Sequence, residues 1–560
     1  MFRQWLHDTL ARLYPGHLFD VLVPPDPAMG DYSTNIAFVA AKAAKKNPRD
    51  AAQEVCDALM REGAEMLERC EVAGPGFVNV FLKDVYLQHQ LGEASISNLG
   101  QNKRVIVEYS SPNIAKPMHI GHLRSTIIGD ALANVYAAIG YDVVRWNFIG
   151  DWGTQFGKLI AAYKRWKDDD ALREHPIREM LRLYVKFHDE MKTHPELERE
   201  GQEEFRKLEE GDIENGDIWM RFRELSLGEF DRMYERLHIG LKGAVIHGES
   251  DYEAELKPLI ERLVAQGLAT ESEGALIVDL SENNLPPALL RKSDGATLYL
   301  TRDLASLEDR IKKYAPAKIL YVVANQQALH FEQLFAVKDR LKLGSTEAVH
   351  VKFGMVLGED GKKLATREGK VIALEEVLDE AVRRAADVVK GKNPELADAD
   401  VQRIANTVAV GALKYNDLRQ HPHSDIVFDW DAMLDLGGNS GPYLQYAYAR
   451  LSGILRNAGD VADVAGDRSL LTHPTERALL RHLLDFGYAV AQCAHLYALN
   501  GLALYLYQLA ELANRYYEQV RINDDDNGAR KAVRLMLVRT VMERLKTGLE
   551  LLGMEALERI

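Results

Sequence analysis

Apolar and polar positions follow three successive rhythms along this chain. Up to residue 97 the pattern is mixed. Helical spacing fills Gln4 to Leu13 and Ala51 to Glu62, and the turn Gly30-Asp31-Tyr32-Ser33-Thr34-Asn35 opens an apolar helix over Ile36 to Ala44. Glu71 to Leu82 then alternates as a strand after a Gly74-Pro75-Gly76 turn. Asn98 to Lys103 reads as a linker. From Arg104 the rhythm becomes strand, helix, strand. Arg104 to Glu108 and Asp142 to Ile149 are strands, and Leu123 to Ala138 is a helix closed by Gly140. That βαβ unit predicts a parallel sheet with a right-handed crossover. Further strands are expected at Ala275 to Asp279, Thr297 to Thr301, Lys318 to Val323 and Val349 to Phe353.

Residues 160 to 240 interrupt this rhythm with charged helical sequence, Glu196 to Glu210 above all, which predicts an all-helical insertion with a solvated outer face. After residue 375 the chain is helical to its end, with no convincing strand. Helices are expected near Leu374 to Val389, Asp398 to Leu413, Gly441 to Asn457, Pro474 to Leu499, Gly501 to Ile522 and Arg530 to Leu552. The expected fold class is therefore α/β. A Rossmann-like parallel-sheet domain with its insertion spans 98–373, after an α+β domain at 1–97. A helical connecting region (374–436) and an all-α bundle (437–560) follow.

Composition adds bounds. At 560 residues the chain is too long for one core. Hydrophobic content of 47% with 27% charged residues is ordinary for a soluble globular protein. Met1 to Asp8 reads as the start of an amphipathic helix and not as a leader, and no apolar run approaches the ~20 residues that span a bilayer. Neither a membrane partner nor export is expected. Cys56, Cys70 and Cys493 are odd in number and far apart, which suits a reducing cytosol and supplies no zinc cluster. A net charge of −15 argues against a general nucleic-acid coat, but leaves open a specific RNA partner held by local basic patches.

The chemistry concentrates in Val105 to His122. A β-branched run ends in Ser110-Ser111-Pro112-Asn113, and His119-Ile120-Gly121-His122 follows where a helix begins. Two imidazoles and a bare glycine at a helix N-terminus favour an anion, because unpaired N–H groups and the helix dipole point at it. The arrangement suits a nucleoside triphosphate. Zinc would need further ligands that the neighbourhood lacks.

Ser110-Ser111-Pro112-Asn113-Ile114-Ala115-Lys116-Pro117-Met118-His119-Ile120-Gly121-His122-Leu123-Arg124-Ser125-Thr126-Ile127-Ile128-Gly129-Asp130 resembles class I aminoacyl-tRNA synthetases, and within them the arginyl-tRNA synthetases. His-Ile-Gly-His is similar to the first class signature, and Gly150-Asp151-Trp152-Gly153-Thr154-Gln155-Phe156-Gly157 also resembles the arginine family. The resemblance covers essentially the whole chain. The second signature is a mobile lysine loop on the triphosphate. Here Gly361-Lys362-Lys363-Leu364-Ala365-Thr366-Arg367 stands in its place, with Thr366 where a second lysine is usual. The resemblance implies that Lys116 compensates.

By the same resemblance His119, His122, Lys116 and Lys363 are the expected catalytic residues. ATP would meet His119, Gly121, His122, Gly150, Asp151, Met355, Val356 and Lys363. Arginine's guanidinium, whose fork pairs best with carboxylates, would meet Glu249, Tyr299 and Asp303. Its ammonium and carboxylate would meet Glu108, Ser111 and Asn113, with Gln327 a further contact. Tyr443 and Tyr446 in the bundle would face the anticodon, and Asn35 and Phe38 the tRNA elbow. The implied activity is arginine–tRNA ligation, with ATP and Mg²⁺ as substrate complex, no bound zinc, and L-arginine and tRNA(Arg) as partners. The expected state is a cytoplasmic monomer that needs tRNA for amino-acid activation. The rival is a non-catalytic tRNA-binding paralogue, and the intact histidine pair argues against it.

Overall fold

The computed structural model describes residues 2–93, 96–293, 298–358, 361, 372–459 and 466–559. Its centre is a five-stranded sheet in the order Glu347–Phe353, Lys318–Ala324, Arg104–Glu108, Asp142–Ile149, Val245–Gly248, parallel throughout. Val105, Ile106 and Val107 of the middle strand are fully buried. A strand covered on both faces must be apolar on both, hence the unbroken β-branched run. The chain leaves this strand to one side through Ile120–Ala138 and later returns to the other side. That places a topological switch at the carboxyl end of Arg104–Glu108, where ligands of such sheets bind.

The insertion is all-helical, with its main helices at Pro176–Glu190, Glu196–Glu209 and Ile213–Arg236. The N-terminal part packs helices Phe2–Leu13, Ile36–Ala44 and Pro48–Glu62 on a four-stranded antiparallel sheet. It docks on the C-terminal helices through polar contacts. Arg477 donates to both Asp31 oxygens (2.8 and 2.9 Å), and the buried Tyr32 hydroxyl donates to Asp485 (2.7 Å). A buried ion pair between Arg124 and Asp417 (3.1 Å) ties the helix after the histidine pair to Asp398–Leu418.

Several expectations are corrected. Residues 299–301 are not a strand: Tyr299–Tyr314 is a helix with its polar positions at helical spacing. Ala275–Val278 is a strand but belongs to a separate antiparallel sheet with Thr270–Ser272 and Ala288–Arg291. Val245–Gly248 was not foreseen because four residues are too few to show a period. Pro474 to Leu499 breaks into Pro474–Leu483 and Phe486–Leu496, with Asp485 turned inward to Tyr32 and Arg481 at the joint. The helical C-terminal part holds a two-residue strand, Ile426–Val427, paired with Val356–Leu357.

Candidate active site

Every strand of the parallel sheet delivers a candidate residue just past its carboxyl end: Met355 and Val356, Gln327, Ser111 and Asn113, Gly150 and Asp151, and Glu249. The loop after the middle strand is tightly wound. Ser110, Ser111 and Ala115 have φ of 70°, 45° and 60°, a left-handed region that residues with a Cβ seldom occupy. The Ser111 N–H donates to Asn147 Oδ1 (3.2 Å), and its hydroxyl is buried without a protein partner. Asn113 is exposed and lies against Gly150, where a Cβ would sit 1.9 Å from Asn113 Oδ1. A side chain at 150 would therefore displace the Asn113 amide.

His119 is the N-cap of Ile120–Ala138. The Gly121 N–H donates to His119 Nδ1 (3.0 Å), and the His119 N–H donates to His122 Nδ1 (3.1 Å). The rings lie 3.9 Å apart, centre to centre. Each Nδ1 is an acceptor, so a neutral ring in either place carries its proton on Nε2. Burial, with the His119 ring adjacent, lowers the His122 pKa to about 3 and keeps that ring neutral. The chain after the lysine loop returns here, since Ala373 bridges His119 and the Ile120 N–H donates to the Ile372 carbonyl (3.2 Å). Lys363 lies outside the described residues, as do Lys362, Thr366 and Arg367. Lys116 holds its ammonium 5.4 Å from the centre of the Tyr184 ring.

The other side of the edge is acidic. Glu249 follows Gly248, and Asp303 lies one turn into Tyr299–Tyr314. Burial raises the Glu249 carboxyl to about 7; Arg302 pulls against this, while Asp303, Asp151 and Glu253 push the same way. Asp303 accepts from His330 Nε2 at 2.5 Å. Tyr299 is 67% exposed at the helix start, and Gln327 is exposed after Lys318–Ala324.

Several expected contacts have partners within the protein. Glu108 is 5% exposed and pairs with buried Arg310 at 2.5 Å. Asp151 is wholly buried and accepts from Ser250 N (2.9 Å), Ser250 Oγ (2.9 Å) and Arg223 Nε (3.1 Å). A Cβ at Gly248 would lie 2.0 Å from its carboxylate. Asp151 thus braces the Glu249 loop. Gly150 is buried with its N–H on Pro112 and its carbonyl on Ile114, which leaves it a packing role. The Met355 N–H and carbonyl are likewise taken, by Asp425 and Ile426, although its side chain stays 39% exposed.

The sequence reading missed Asn147, Tyr234, Arg310 and His330. Asn147, a lone amide between Trp146 and Phe148 in a strand, was a visible signal. Arg310 gave none, since helical arginines usually face water.

In the distal parts, the Asn35 amide accepts from the Asp20 N–H and donates to its carboxylate, and Phe38 packs edge-on against Phe77. Tyr443 accepts from Asn514 (2.9 Å), while Tyr446 is 37% exposed with the Arg450 guanidinium 5.0 Å from its ring centre. Among the described residues no group of three or more His, Cys, Asp or Glu side chains could hold a metal ion. Nor is any helix among them long and apolar enough to cross a membrane.

A histidine-capped helix at the switch point of a parallel sheet, with a helical module beyond, defines a class I tRNA synthetase. The family description "tRNA synthetases class I (R), catalytic domain" matches residues 83–430, an arginyl tRNA synthetase N-terminal domain matches 2–82, and a DALR anticodon binding domain matches 444–560. The chain belongs to the arginyl-tRNA synthetase family, whose members are enzymes. It is 41% identical to an arginine–tRNA ligase of Clostridium botulinum, over 96% of this chain and 95% of that one. It is 43% identical to that of Enterococcus faecalis, over 94% and 92%. The arginyl-tRNA synthetase structure from Thermus thermophilus superposes with a TM-score of 0.84 at 28% identity, covering both chains fully. That from Plasmodium falciparum gives 0.82 at 27%, covering 100% of this chain and 98% of that one.

Proposed function

We propose that this enzyme activates L-arginine with ATP·Mg²⁺ and passes the arginyl group to the 3′-terminal adenosine of tRNA(Arg). The observation that carries the reading is the meeting, on one sheet edge, of the histidine-capped helix start at His119 and His122 with the acidic pair Glu249 and Asp303, whose mutual repulsion helps raise the Glu249 carboxyl. The guanidinium enters between Glu249 and Asp303, with Tyr299 beside it. Ser111, Asn113 and Gln327 hold the ammonium and carboxylate. The arginine carboxylate is already ionised, so no general base is needed. One of its oxygens attacks the α-phosphorus, the bond to the β,γ-pyrophosphate breaks, and arginyl-adenylate forms. His119, His122, Lys116 and Lys363 stabilise the growing phosphate charge by position alone. The terminal hydroxyl of tRNA then attacks the adenylate's carbonyl carbon, AMP leaves, and the hydroxyl proton departs with it or to solvent.

In this reading residues 98–373 perform catalysis, 374–436 connect, and 1–97 and 437–560 hold tRNA. Tyr443 and Tyr446 stack on anticodon bases, and Asn35 and Phe38 meet the elbow. The enzyme works as a cytoplasmic monomer and needs tRNA for activation. Aminoacylation with arginine against the other amino acids tests the reading, and charging of another amino acid in preference would overturn it. His119→Ala abolishes adenylate formation while sparing tRNA binding. Pyrophosphate exchange without tRNA would refute the tRNA requirement.

A further inference from the structure

The helical insertion has a charged exterior, yet three of its side chains grip the loop that leads to the histidine pair. Ser226, fully buried, accepts the Ala115 N–H at 2.9 Å and donates to the Phe222 carbonyl at 2.7 Å. The Tyr234 hydroxyl meets Ser110 Oγ at 2.8 Å and accepts from Asn147 Nδ2 at 3.2 Å. Tyr184 lies under the Lys116 ammonium, 5.4 Å from its ring centre. Trp219 and Arg223 continue the row on Ile213–Arg236, donating to the Asp151 carbonyl (2.8 Å) and carboxylate (3.1 Å). Positions 219, 223, 226 and 234 recur at helical spacing, so one face of this helix holds the loops on both sides of the site.

We propose that Ser226 and Tyr184 are positioning residues that aim Lys116 at the triphosphate. The proposal rests on the reading of Lys116 as a phosphate-binding cation. Ala115 sits at φ 60° immediately before that lysine, a conformation that persists only where surrounding contacts impose it. The Ser226 hydroxyl imposes it by satisfying the Ala115 N–H. Past the Cα, the lysine stem has four free torsions, and the Tyr184 ring restricts them by attracting the ammonium to its face.

The test is arginine-dependent pyrophosphate exchange by the full chain with tRNA present. The variants are Lys116→Gln, Ser226→Ala, Tyr184→Leu and the two doubles that contain Lys116→Gln. Misplacing a reacting group by about 1 Å costs up to about 100-fold, so S226A and Y184L are each expected to lower kcat about 10-fold or more. The arginine KM should change much less than kcat, because the guanidinium is met by Glu249 and Asp303, which stand on other elements than this loop. Added to Lys116→Gln, neither substitution should cost anything further. Losses that add in the doubles, or that fall on the arginine KM, overturn the proposal. Tyr184 is only half-buried, so Y184L decides the matter if S226A does not fold. An impaired K116Q beside fully active S226A and Y184L refutes the positioning alone. A fully active K116Q refutes the reading of Lys116 and the positioning together.

Discussion

The two halves of the active site are built on opposite principles. The half proposed to meet phosphate is built on the loop from Ser110 to His122, which also carries Ser111 and Asn113, and it is conformationally strained. Its backbone is forced into left-handed turns, its His122 ring is neutral, and its donors are aimed by hydrogen bonds made before any ligand arrives. The amino-acid half, around Glu249 and Asp303, is the reverse. Its backbone is ordinary, and its half-buried carboxylates crowd one another, since Asp303, though paired with His330, helps push the Glu249 carboxyl up. A developing phosphate charge is best met by dipoles that need no reorganisation. A substrate that brings its own positive charge is best met by negative charge left unpaired. Specificity for a cation and catalysis on an anion are thus kept apart, on different strand ends of one sheet.

The sharpest test of this contrast removes the neutral donor. His122→Ala takes away one Nε2–H and the cap on the His119 N–H, and should lower kcat for exchange by about 10²- to 10³-fold with little change in arginine KM. A loss carried mainly by KM would erase the division of labour. On the other side, Glu249→Gln keeps the shape and removes the charge. The arginine KM should rise about 10- to 100-fold with kcat less affected, as expected when a buried charged partner is lost.

The halves should also differ in pH response. In the free enzyme Glu249 titrates near 7, and a bound guanidinium favours its ionised form and draws that value down. Arginine affinity is therefore full above pH 7 and falls as pH drops through it, by about tenfold between pH 8 and pH 6. Isothermal titration at the two pH values should show this, with proton release on binding near pH 7, and E249Q should flatten it. His122, titrating near 3, adds no dependence in that window. Proton uptake on binding, or an unchanged pH profile in E249Q, would contradict the assignment. The smallest expected effect tests the brace between the halves. Asp151→Asn weakens the bonds to Ser250 and Arg223, and should cost about 1–3 kcal/mol in urea unfolding. Through displacement of Glu249 it should raise the arginine KM only a few-fold.

Legibility in the sequence followed the range of the interactions. The middle strand, the helix after the histidine pair and the charged insertion were readable because period and composition are local quantities. The same holds for the helix start at the histidine pair, since a helix N-terminus is announced by its own first residues. The helix at Tyr299 was mistaken for a strand, because a short apolar run carries no decisive period. The internal partners of Glu108 and Asp151 were not legible for a deeper reason. Both are acids at strand ends, where substrate contacts are expected, and only their distant partners reveal that each is already used. Arg310 lies 202 residues from Glu108 and Arg223 lies 72 from Asp151.

By itself the sequence determined the order of the folding units, the parallel sheet, and the chemical character of the residues at its strand ends. Those follow from hydrophobic period, from chirality and from which side chains stand at strand ends. The tertiary structure alone decided which acids are paired inside the protein and what holds Lys116. These depend on desolvation and on contacts between residues far apart in the chain, which exist only once the chain has folded.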